Sequence, residues 1–253
     1  MAMMKEAASI SALSSGERPG NNLLRLLRSS DYALIAPHLK PAELQANEVL
    51  YNPGDNIETV YFPCGPSLIS LAVVQEDGRD VETIMIGREG AVGGIVSSGR
   101  LPAYCRITAR YGGPFVRLRV SYLEAAKGRS LTLRSIFARY ADCVLTQAFQ
   151  SSACNAVHSI EQRTAKWLLA AMERTGEREV VLNHEQLAAL LGVGRSYASR
   201  VIQAFRADEI LETRRGSIVV RDEEALKARS CTCNASVKHH FETVLRGAYP
   251  DET

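Results

Sequence analysis

Five side chains able to give or accept hydrogen bonds fall on one side of a single helical segment: Arg195, Ser196, Ser199, Arg200 and Gln203. The other side carries Ala198, Val201, Ile202 and Phe205 at i, i+3, i+4 and i+7, an apolar stripe that a core must cover. A helix held this way can enter the major groove of DNA, where its first turns meet base edges. Arginine can donate two hydrogen bonds to guanine, so Arg195 and Arg200 are the expected base readers; such a pair gives roughly 1–3 kcal/mol of discrimination. Further along, Arg214 and Arg215 would lie over phosphate, supplying affinity without specificity. Charge follows the same logic. From Arg195 to Arg221 six arginines face Asp208, Glu209 and Glu212, so this stretch is +3 while the whole chain is only +2. The plainer alternative is a helical hairpin with a solvated Arg/Ser face, and it leaves the signals flanking this helix unexplained.

Those signals belong to the elements that must hold the helix. Asn183 and Gln186 form a capping box that opens a helix of about His184 to Leu191, closed by Gly192. The turn Gly192-Val193-Gly194 leads into the polar-faced helix, of about Arg195 to Ala207. Ala188 is small where the two helices cross, and Gly192 permits the sharp turn between them. Glu212 to Val220 then reads as a hairpin turning at Arg215-Gly216-Ser217, a basic wing. Together these predict a winged helix-turn-helix.

Upstream, the texture is different. From Glu48 to about Val120 the runs VLYNPGD, TVYFPCG, LISLAVV, VETIMIG, AYCRITARY and FVRLRVSYL are β-branched or aromatic and bounded by Gly, Pro, Asn or Asp. They predict an all-β barrel or jelly roll, with Asp77-Gly78 as the clearest hairpin turn. From Leu131 to Val157 there is neither Pro nor Gly, and Leu133, Ile136, Phe137, Tyr140 and Val144 keep helical spacing. An isolated helix cannot bury such a stripe, so it packs on the barrel, on a second copy, or on both. Ile160, Thr164, Trp167, Leu168 and Met172 mark a further helix from His158 to Thr175, and residues 22–46 suggest short helices broken at Pro37 and Pro41. The fold class is α+β. The expected divisions are a flexible tail (1–21), a sensor β-barrel domain (22–130), a dimerisation helix (131–157), a winged helix-turn-helix domain (158–235) and a C-terminal tail (236–253).

Composition excludes several classes. The chain has 253 residues, 46% of them apolar and 23% charged, which suits soluble cores. No apolar run is long enough to span a bilayer, and Met1–Gly20 lacks the basic-then-apolar order of a secretory signal, so the expected location is cytoplasmic with no membrane partner. A metal oxygenase in the barrel would need His ligands, but the five histidines (38, 158, 184, 239, 240) all lie outside residues 48–120. No nucleophile elbow or P-loop appears, and no catalytic residue is assigned.

The order of barrel, long helix and winged helix-turn-helix resembles the Crp/Fnr superfamily of bacterial transcription regulators over about residues 22–235. The specific match is LGVGRSYASRVIQAFRADEIL, in which Arg195, Ser196 and Arg200 stand where the family faces the bases. Ser196 replaces the Glu of the cyclic-AMP-responsive member. The resemblance implies a cyclic-nucleotide-binding-like jelly roll, a homodimer through residues 131–157, a hinge near His158–Ser159, double-stranded DNA as partner and RNA polymerase as a second one. Cyclic-nucleotide binders of the family hold phosphate with a Gly-Glu pair and an Arg-Ser or Arg-Thr pair. Here Gly93-Gly94 stands in place of the acidic pair, Arg106 lacks its hydroxyl partner, and Ala148-Phe149 stand where hydroxyls would meet the base. A cyclic nucleotide is therefore not expected, and the barrel's cofactor or effector is unknown.

The six cysteines are expected to be free thiols in a reducing compartment, with Cys64 and Cys105 as small core fillers. The alternative is a redox- or metal-responsive regulator of the same fold using Cys231 and Cys233, with His239 and His240 downstream. C-x-C is an atypical start for a zinc site, and no metal ligand is assigned on sequence alone.

Overall fold

The computed structural model of the chain describes residues 17–97 and 99–249, so the expected N-terminal tail lies outside the described residues except for its last five. Within those five, Asn21 is fully buried. Its amide donates to the Pro63 and Gly90 carbonyls, and its Oδ1 caps α1 (Asn22–Leu26) at the Leu24 N–H. α2 (Ser29–Ile35) and a 3-10 turn at Ala36–His38 complete this entry.

Seven strands follow in two antiparallel sheets. One has the order β1 (Lys40–Leu44), β7 (Gly113–Arg119), β3 (Thr59–Pro63). The other runs β2 (Glu48–Tyr51), β6 (Arg106–Tyr111), β4 (Leu68–Val74), β5 (Asp80–Ile86). The sheets are jelly-roll-like but do not close into one barrel, because no continuous ladder joins them among the described residues. The six apolar runs each supply one strand. The seventh, β1, has the sequence KPAEL, and its Pro41 is tolerated because the strand lies at an edge and pairs with β7 alone. Ile69, Ile107, Ala109 and Phe115 are buried between the sheets.

α3 (Val120–Arg129) leads through a Ser130 cap into α4 (Leu131–Val157), the long helix at its expected bounds. Leu133, Ile136, Phe137 and Tyr140 are completely buried and cluster with Val60, Phe62, Val116 and Leu118. The stripe thus finds its partner inside the chain, where the β-sandwich presents an apolar face of matching length. Tyr140 makes the attachment specific, since its hydroxyl donates to the Ala91 carbonyl and accepts from the Ala91 N–H, both at 2.8 Å.

After α4 come α5 (Ile160–Thr175), β8 (Glu179–Val180), α6 (His184–Leu191), α7 (Arg195–Ala207), β9 (Leu211–Arg214), β10 (Ser217–Val220) and α8 (Glu223–Arg229). The three strands pair in the order β8-β10-β9. The chain then departs from the expected C-terminal tail. α9 (Cys233–Arg246) is a helix packed along α4, with Phe241 edge-on to Tyr140 and Arg139 donating to the Val244 carbonyl at 3.0 Å. Val237, Phe241 and Leu245 recur every fourth residue, which supplies the apolar edge this packing needs.

The C-terminal unit is not hung on a free linker. Leu68 of β4 and Met85 of β5 share a core with Trp167, Leu168 and Leu187. Around that core Trp167 Nε1 donates to Glu82 at 2.6 Å, Arg174 pairs with Glu89 at 2.7 Å, and Gln147 donates to the Met85 carbonyl at 3.0 Å.

Candidate nucleic-acid interface

Local chemistry fixes the two helices of the reading motif. Asn183 Oδ1 accepts from the Gln186 N–H at 2.8 Å while Gln186 Oε1 accepts from the Asn183 N–H at 3.0 Å, a complete capping box on α6. The helix stops because Gly192 takes up a left-handed conformation, φ 66°, which side chains other than glycine's adopt at a cost. The Val193 N–H returns to the Ala188 carbonyl at 3.0 Å, and two residues later α7 begins. Ala198, Val201, Ile202 and Phe205 are buried, so α7 can rotate only with its polar face outward.

On that face Arg195, Ser196, Arg200 and Gln203 are exposed. Neither Arg195 nor Arg200 forms an ion pair with a described residue, and α7 has no side-chain cap on its first N–H groups. Ser199 is different: it is half-buried, with Oγ 3.0 Å from Nδ1 of His184, and so ties α7 to α6. The wing arginines also separate. Arg214 is held by Glu179 at 3.3 Å and Glu212 at 3.1 Å, whereas Arg215 is exposed at the hairpin tip and has no acidic partner among the described residues. Sequence reasoning missed Tyr197. Its ring is partly exposed beneath the Arg200 guanidinium, 5.2 Å from ring centroid to Cζ. An aromatic residue three positions before Arg200 was the available signal.

Residues 162–229 match the family of Crp-like helix-turn-helix domains. Those residues form a Crp-like helix-turn-helix domain, and the chain as a whole has the fold of Crp/Fnr-family structures. That fold is shared with FixK2 from Bradyrhizobium japonicum (20% identity, TM-score 0.63, covering 76% of this chain and 98% of that one). It is shared also with CLP of Xanthomonas campestris, described as a c-di-GMP-responsive global regulator (16% identity, TM-score 0.62, 77% and 100% covered). A CRP-family transcriptional regulator from Thermus thermophilus gives 18% identity and a TM-score of 0.63, with 75% and 96% covered. No curated protein sequence matches the chain.

The Gly-rich segment that the resemblance compares with a phosphate cradle lies against β3. Val92 and Tyr61 exchange two backbone hydrogen bonds, of 2.8 and 3.0 Å, which lay the Gly-rich loop on β3. Gly93 (φ 111°) touches the Thr59 carbonyl so closely that any Cβ would collide with it, and that contact explains the glycine. Arg106 pairs with Asp80 at 2.7 Å, and Phe149 points outward from α4. His239 and His240, on α9, do not join Cys231 and Cys233; Cys154 and His158 do. No helix among the described residues is long and apolar enough to cross a membrane.

Proposed function

We propose that the chain is a sequence-specific, DNA-binding transcription regulator that acts as a homodimer in the cytoplasm, reads an interrupted inverted repeat through α7, and works with RNA polymerase. The observation that carries this reading is the pair Arg195 and Arg200, exposed and without acidic partners among the described residues, on a helix whose opposite face is locked into the core of a Crp-like domain. Two such helices related by a dimer axis must enter successive major grooves on one face of the duplex, which sets half-site centres about 10–10.5 bp apart. Ser196, beside Arg195, and Gln203, a turn beyond Arg200, complete the reading face. Ser199 serves by holding α7 against His184. The β-sandwich modulates binding through its contacts with α5, around Glu82 and Trp167.

Selecting bound sequences from random duplexes should return that inverted repeat. Arg195→Ala and Arg200→Ala should then each cost roughly 1–3 kcal/mol per affected base contact and relax preference at that position. If both variants weaken operator and scrambled duplex alike, α7 is not the reading helix.

A further inference from the structure

Three cysteines and one histidine meet where the long helix ends. Cys154 and His158 lie one turn apart at the C-terminal end of α4, and Cys231 and Cys233 flank the start of α9. The four ligand atoms all lie within 4.8 Å of one another. Cys154 Sγ is 3.7 Å from Cys231 Sγ, and Cys233 Sγ is 3.6 Å from His158 Nδ1. The three sulfurs form a buried cluster of their own, with no buried aliphatic member.

We propose that Cys154, His158, Cys231 and Cys233 bind a single Zn²⁺ in a tetrahedral Cys₃His site. The dimensions carry the choice of ion. With Zn–S of about 2.3 Å and Zn–N of about 2.0–2.1 Å, a tetrahedron has S···S edges of about 3.8 Å and S···N edges of about 3.5 Å. The two distances above match those edges. A disulfide would need its sulfurs about 2.05 Å apart. A four-iron cluster distributes its ligands over separate irons and needs a wider cage than this one. C-x-C is uncommon at the start of a zinc site when both ligands lie in one knuckle. Here the other two ligands come from a helix end 75 and 77 residues away, so the short spacing needs to supply only one edge.

The surroundings suit a thiolate site. Gln150 donates from Nε2 to Cys233 Sγ at 3.1 Å, the kind of outer contact that orients a metal ligand. Cys233 and Gln150 also line the cleft of about 650 Å³ between the β-sandwich, α4, α5 and α9, which gives the ion a way in. The bound ion would tie the end of α4 to the start of α9 across the His158–Ser159 junction, where the chain turns into the DNA-reading domain. It would thereby set the angle between the long helix and α7. This consequence for DNA rests on the function proposed above, whereas the metal site does not.

The test uses the full chain purified under reducing conditions. Elemental analysis should find one zinc per chain. After chelation, Co²⁺ should restore a one-to-one site with the intense visible bands of tetrahedral cobalt and thiolate-to-cobalt charge transfer in the near ultraviolet. Cys231→Ser and His158→Asn should abolish stoichiometric binding, and Gln150→Leu, which keeps all four ligands, should weaken it about tenfold. A reduced wild-type chain that takes up no cobalt overturns the proposal. So does a Cys154–Cys231 disulfide as the isolated form, or the absorption of an iron–sulfur cluster. Operator binding, measured on the same samples, separates the two claims. A cobalt site whose removal leaves DNA affinity unchanged keeps the metal and removes the coupling; DNA affinity that falls on chelation and returns with cobalt, at constant helical circular dichroism, supports both.

Discussion

Neighbouring arginines on the wing are chemically alike and differently placed. Arg214 already has two carboxylates, Glu179 and Glu212, and a phosphate must compete with them; Arg215, at the hairpin tip, has none among the described residues. We therefore expect Arg215→Ala to weaken binding to operator and scrambled duplex about equally, and to lower the slope of log K against log salt by about 0.9, the share of one phosphate contact. Arg214→Ala should change that slope less, and should cost stability no more than about 1 kcal/mol, as exposed ion pairs do. Equal slopes for the two variants, in titrations at several salt concentrations, would remove the distinction. The same attention to partners applies in the β-sandwich. With Gly93 pressed against the Thr59 carbonyl and Arg106 held by Asp80, cyclic AMP and cyclic GMP should leave operator affinity unchanged. Micromolar binding of either nucleotide in calorimetry contradicts this.

At the scale of elements, α4 has two faces with different fates. Its buried face is consumed by the β-sandwich and α9, so the case for a dimer moves to the opposite side. There Leu145 is 51% exposed and Phe149 66%, one turn apart, with the small residues Ala141, Ala148 and Ser152 around them. Small and apolar residues at this spacing suit a helix–helix seam with a second copy. Leu145→Glu combined with Phe149→Glu should convert a dimer to a folded monomer in light scattering and reduce operator affinity at least tenfold, while Leu133→Glu should unfold the chain. A wild-type monomer at micromolar concentration with intact DNA binding excludes this seam. The contrast also shows what the sequence could reveal. α6, α7 and α4 were legible, because the Asn183–Gln186 capping box, Gly192 and a proline-free stripe mark them locally. β1 was not, since Pro41 and two charges in five residues look like a break, and only its place at a sheet edge makes them harmless. Trp167 with Glu82 and Cys233 with His158 were not legible either. These pairs are 85 and 75 residues apart, and no local periodicity reports such proximity.

For the whole molecule, the consequential contact is the one that docks the Crp-like helix-turn-helix domain on the β-sandwich. Glu82 of β5 is half-buried there, with its Oε2 shielded from solvent, and its Oε1 accepts from Trp167 of α5. Burial raises its pKa, while the Ser70 hydroxyl, the Trp167 indole and the charges of Arg110 and Arg174 oppose that rise without cancelling it. The folded chain therefore holds the Glu82 proton more tightly than the unfolded chain does. The stability this gives is fully present below the unfolded carboxyl pKa, about 4.3, and is lost as pH rises through the higher folded value. Glu82→Gln keeps an oxygen for Trp167 and has no proton to lose. Relative to wild type, it should gain stability as pH rises from 5 to 8, by about 1.4 kcal/mol for each pH unit lying between the unfolded and the folded pKa. The difference between the two chains is the quantity to follow. Asp77 and Glu223, whose pKa values are lowered, lose their contribution in acid in both proteins alike. Trp167 is the only tryptophan, so its emission reports docking directly, and urea titrations at fixed protein concentration give the midpoints. If the gap between Glu82→Gln and wild type stays constant with pH, or if Glu82→Gln is the less stable chain at pH 8, Glu82 is docked as a carboxylate held by Arg110 and Arg174. The two domains would then be joined by an ion-pair network, and high salt rather than high pH should loosen them.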